Sequence, residues 1–75
     1  MTVVAVGVAM IERNESYKGF VISWIEPPLT SASWTANIAS ESRELQDKIG
    51  PSAEVIDAPT RHEMVAAAKR FIDNL

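Results

Sequence analysis

Among the 75 residues, His62 is the one side chain whose ordinary titration range lies near neutral pH. A general base of this kind needs a nucleophile within hydrogen-bond reach. Serines and threonines are plentiful, but no spacing pairs one of them with His62. It falls two residues after Thr60, in the first turn of an amphipathic stretch. The positive end of a helix dipole disfavours an imidazolium there, so a neutral, exposed surface histidine is expected. Carboxylates are the second source of chemistry. Glu54 and Asp57 bracket Val55-Ile56, and Glu41, Glu44 and Asp47 share one polar stretch. Paired carboxylates run acid–base chemistry or hold cations when they converge in a cleft. A chain this short has little room for a cleft, so solvated faces are expected. Trp24, Trp34 and Phe20 form the third group, a possible stacking platform for bases. Only Lys18 supplies a cation in those stretches, which favours core packing instead. No EF-hand spacing, phosphate loop or G-x-G-x-x-G run is present. The expectation is a protein that is not an enzyme, with no cofactor and no metal.

These residues must be positioned by a single small domain. One core of this size yields only a few kcal/mol of net stability. Domains this small often add a disulfide, a metal or a partner subunit. The chain has no cysteine and one histidine. That excludes disulfides and thiolate metal sites, argues against zinc, and leaves self-association. It also fits a reducing, cytoplasmic compartment. The net charge is −3, and the seven basic residues are scattered along the chain, with only Lys69 and Arg70 adjacent. Nucleic-acid binders carry a basic stripe or patch, so nucleic acid is not the expected partner.

The clearest element is a C-terminal helix over about residues 60–74. Thr60 and Glu63 form a capping box, and Lys69 and Arg70 lie where the dipole favours cations. Met64, Val65, Ala67, Ala68, Phe71, Ile72 and Leu75 fall in one arc, so the helix needs a sheet or helix to cover. Four strands are expected, over about 3–11, 17–26, 33–40 and 53–57. The first run, VVAVGVAMI, is apolar on both faces and rich in β-branched residues. It lacks a preceding positive charge, which argues against a signal peptide, and it is too short to span a bilayer. Residues 12–16 then read as a turn. In the second strand Phe20, Ile22 and Trp24 share one face, with Tyr17, Gly19, Val21, Ser23 and Ile25 opposite. Gly19 reads as a bulge or a close backbone approach. Pro27-Pro28 ends that strand. Trp34, Ala36 and Ile38 line one face of the third, which places Trp24 and Trp34 on neighbouring strands under the helix. Residues 41–52 read as a short helix, capped by Ser42 and ending at Gly50-Pro51, or as an irregular edge strand.

The resulting expectation is an α+β fold, an antiparallel three- to four-stranded sheet with one face covered by the C-terminal helix. One helix covers one face only. Apolar residues on the other face, represented by Val3, Ala5, Val21 and Ile25, therefore form the expected interface. The implied partner is a second copy in a symmetric homodimer, through that face or through strand addition at an edge.

The order Tyr17-Lys18-Gly19-Phe20-x-Ile22, a Pro-containing loop, Trp34-Thr35-Ala36-x-Ile38, then Thr60-x-x-Glu63-Met64 and Phe71-Ile72-Asp73 resembles a group of small uncharacterised bacterial proteins. Their plan is strand–strand–strand–helix, and the resemblance covers residues 17–73. It implies the same fold and no particular activity. A looser resemblance is to HicB-type antitoxins, which place a T-x-x-E-A helix after an antiparallel sheet. This chain has Met64 where that pattern prefers alanine, and no DNA-binding segment is expected after the helix. This second resemblance implies an alternative role, a regulator that neutralises a partner protein.

Overall fold

The helix whose ends are written most plainly in the sequence forms as expected. It is Arg61–Asp73, with Thr60 at its N-cap in extended conformation. The Thr60 hydroxyl accepts from the Glu63 N–H at 3.1 Å, satisfying one orphan donor of the first turn. The return bond from the Glu63 carboxylate is not formed among the described residues. The computed structural model describes residues 10–28 and 33–75. Numbered in chain order, the elements are β1 (Ile11–Tyr17), β2 (Phe20–Glu26), β3 (Trp34–Ala39), α1 (Arg43–Ile49), β4 (Glu54–Ala58) and α2 (Arg61–Asp73). The strands form one antiparallel sheet in the order β1-β2-β3-β4.

The fold is α+β, with α2 packed across β3 and β4. Met64, Ala68 and Ile72, spaced four apart, are its buried stripe. They meet Phe20, Ile22 and Trp24 from β2 and Ala36 and Ile38 from β3. Ile22, Ile38 and Met64 have no exposed surface. Trp24 is buried in this core and Trp34 packs half-buried against it, so the tryptophans are core residues on neighbouring strands.

The second strand differs from the sequence expectation at its start. Residues 12–16 are not a turn but the body of β1, and residues 17–26 are not one strand. Tyr17 ends β1 opposite Phe20, and the chain reverses through Lys18 and Gly19. Both have positive φ, 50° and 86°, as a two-residue type I′ hairpin turn requires. Gly19 is thus a turn residue rather than a bulge. What approaches it is a side chain: a Cβ built there would sit 2.5 Å from Leu45 Cδ1. The turn also moves Tyr17 onto the helix side of the sheet, where it packs against the core. The expected strand over 3–11, with Val3 and Ala5, lies outside the described residues except at its end, where Ile11 opens β1.

The segment 41–52 contains the short helix. Ser42 caps α1 by accepting from the Leu45 N–H at 3.4 Å, and Leu45 and Ile49 pack against the core. Gln46 ties α1 to its surroundings. Its carbonyl oxygen accepts from Ser40 N–H at 2.9 Å, and its amide donates to Gly50 and Ser52 carbonyls. Both donors and one acceptor site of this half-buried amide are therefore directed at backbone groups.

Candidate interaction surface

Pleating and register decide which side chains α2 can reach. On the helix side, β1 presents Ile11, Arg13, Glu15 and Tyr17 beside the core residues of β2. The main packing of α2 lies over β3 and β4, two strands away from β1. Apart from Tyr17, which packs against the core, the seam between α2 and β1 is therefore closed by ionic and polar contacts. Glu26, with a side chain 20% exposed, accepts from Arg13 and Arg61 at 3.3 Å each and from the Trp24 indole N–H at 2.9 Å. Near the hairpin, Asp73 accepts from Lys18 Nζ at 2.6 Å and from the Tyr17 hydroxyl at 3.0 Å. Lys69 Nζ lies 2.6 Å from Glu15 Oε2 and 5.3 Å from the centre of the Tyr17 ring. Of the scattered cations, Arg13, Lys18, Arg61 and Lys69 are gathered on this seam, each beside a carboxylate.

The titration shifts follow from these contacts. The indole N–H of Trp24, then Arg61 and Arg13, hold the Glu26 carboxyl below its ordinary pKa. Lys18 and then Tyr17 do the same for Asp73. The reciprocal effect raises Lys18 through Asp73 and Lys69 through Glu15.

The opposite face has no layer over it among the described residues. Across the four strands it carries Glu12, Asn14 and Ser16, then Val21, Ser23 and Ile25, then Thr35, Asn37 and Ala39, then Val55 and Asp57. Val21, Ile25 and Val55 are 37%, 41% and 53% exposed. A neutral polar row, Asn14–Ser23–Asn37, separates Val21 from Ile25, so the aliphatic groups are spaced rather than fused into one patch. Two further apolar side chains, Met10 and Ile11, are exposed at the start of β1. A groove of about 350 Å³ crosses one end of this face, lined by Glu12, Ser23, Ile25, Pro28, Thr35 and Asn37 among others.

The residues singled out for chemistry are dispersed. Glu54 and Asp57 point to opposite faces of β4, as their odd spacing requires. Asp57 accepts from the Thr35 hydroxyl at 2.6 Å on the open face. Glu41, Glu44 and Asp47 are exposed around α1, and no metal-holding group of carboxylates and imidazoles forms among the described residues. His62 is exposed beside a shallow groove of about 270 Å³, lined also by Glu15, Trp24, Arg61 and Val65. No helix among the described residues is long and apolar enough to cross a membrane. No protein-family model, curated protein or solved structure matches the chain.

Sequence reasoning missed the seam because its partners are far apart in the chain. Tyr17 and Asp73 are separated by 56 positions, and Lys18 and Asp73 by 55. One local signal was present. A polar residue followed by Gly between Tyr17 and Phe20 is the pattern of a two-residue hairpin turn.

Proposed function

We propose that this protein is a non-catalytic interaction domain that works by associating with a second copy of itself. The observation that carries this reading is the one-sided layering of the sheet among the described residues. With α2 on one face only, Val21, Ile25 and Val55 remain exposed on the other, and Met10 and Ile11 remain exposed at the margin. In a chain of 75 residues without cysteine, burying such surface between copies adds stability that its single core cannot supply. Val21 and Ile25 are the residues of the sequence-based interface that lie within the described chain.

The test is the mass of the purified protein by light scattering after size exclusion, across a concentration series spanning micromolar values. A mass of twice the 8.2 kDa chain is expected at the upper end. A monomer throughout would overturn the reading.

A further inference from the structure

We infer that two copies of the chain pair through the edge of β1 that β2 leaves open among the described residues, antiparallel and centred on Asn14, to join their sheets into one. The inference rests on the reading that the chain self-associates, and it places the contact at the sheet edge, where Ile11 is covered, rather than on the open face that carries Val21 and Ile25.

Among the described residues β1 is an edge strand, seven residues long, with β2 on one side only. A two-residue turn closes on a hydrogen-bonded pair, here Tyr17 and Phe20. Alternation then directs the backbone groups of Tyr17, Glu15, Arg13 and Ile11 toward β2. Glu12, Asn14 and Ser16 turn theirs outward. Three residues, each with a donor and an acceptor, give about six backbone hydrogen bonds across a symmetric pair.

Charge decides the register. Outward residues must face outward residues, and within the span Glu12–Ser16 that they occupy a twofold can be centred on residues 12 through 16. Centring on Glu12, Arg13 or Glu15 sets that residue against its own copy and juxtaposes like charges, which is destabilising. Centring on Ser16 shortens the ladder and sets Asn14 against Lys18 of the turn. Centring on Asn14 instead opposes Arg13 to the second copy's Glu15, twice, and Ile11 to its Tyr17, twice. These fall at the close, non-hydrogen-bonded positions, where side chains interact most. Charges on an edge strand ordinarily repel a further strand. Here their order, Glu12-Arg13-Asn14-Glu15, complements itself.

The groups involved have capacity to spare. Arg13 reaches Glu26 through Nε, leaving its terminal nitrogens to donate, and its side chain is 54% exposed. Glu15 uses Oε2 on Lys69, and its side chain is 41% exposed. Pairing would link the ionic seams of the two copies through these groups. It would also join the two open faces into one surface carrying Val21 and Ile25 from both.

The test uses two exposed substitutions, Arg13→Glu and Glu15→Arg, with circular dichroism confirming the fold of each. Alone, each sets like charges opposite one another twice, and self-association should weaken about tenfold or more. Mixed in equal amounts, the two variants form a heterodimer in which both pairs are opposite in charge, so dimer mass should return. Should one variant fail to fold, the double variant in a single chain restores both pairs and should self-associate. Singles that dimerise like the parent, or a mixture that stays monomeric, would overturn the β1 register while leaving self-association standing. A monomeric parent would overturn both.

Discussion

Replacing Gly19 by alanine separates a hairpin turn from an extended strand at this position. Two effects add. Gly19 has φ of +86°, where a Cβ costs about 1–2 kcal/mol. The new methyl would also sit 2.5 Å from Leu45 Cδ1, and crowding of this kind costs about 1–3 kcal/mol. The lower part of that second range applies, because Leu45 is half-buried and its terminal methyl can move. The total is about 2–4 kcal/mol, a large part of the few kcal/mol of net stability that a core of this size supplies. In urea, with a slope of about 1 kcal/mol/M, the midpoint should fall by about 2 M or more. Leu45→Ala removes the obstructing methyl, so in that background the Gly19→Ala cost should shrink to the backbone part, about 1–2 kcal/mol. The double-mutant cycle thus reads the contact between the hairpin tip and α1 directly. A Gly19→Ala cost within about 0.5 kcal/mol of zero would refute the turn, since an extended residue accepts a Cβ freely. Equal costs in the two backgrounds would refute the Leu45 contact.

Further outcomes follow from the core and the seam. Met64→Ala, at a position with no exposed surface between α2 and the sheet, should cost about 2–5 kcal/mol, measured by thermal or urea unfolding. Acid should destabilise the fold through Glu26 and Asp73, whose carboxyls are held below their ordinary pKa. Their contribution is present above the unfolded value, about 4, and is lost as pH falls through the lowered folded values. Glu26→Gln with Asp73→Asn should therefore flatten the fall in stability below about pH 4, followed by unfolding midpoint against pH.

How much of this was legible depended on where each residue's partners lie. The ends of α2 and its buried stripe follow from the local pattern of Thr60, Glu63, Met64, Ala68 and Ile72, because helix capping and periodicity act within a few residues. Pro27-Pro28 marks the end of β2 for the same reason, as proline cannot continue a ladder. β1 was not legible. Its helix-side residues lie beyond the main packing of α2 and its other residues face an uncovered side, so Ile11–Tyr17 lacks the apolar alternation that marks a half-buried strand. Tyr17 was placed on the wrong side because a turn inserted at Lys18-Gly19 resets the alternation.

By itself, then, the sequence determined the class of fold, the capped helix and the core faces of β2 and β3. These depend on short-range hydrogen bonding and on burial periodicities of two or about four residues. Only the tertiary structure decided that β1 pairs with β2 and that α2 leaves it largely uncovered. The same holds for the ionic seam of Glu26, Asp73 and Lys69 and for the faces to which Glu54 and Asp57 point. Those outcomes depend on strand register and on contacts between residues as much as 56 positions apart, which no local pattern encodes.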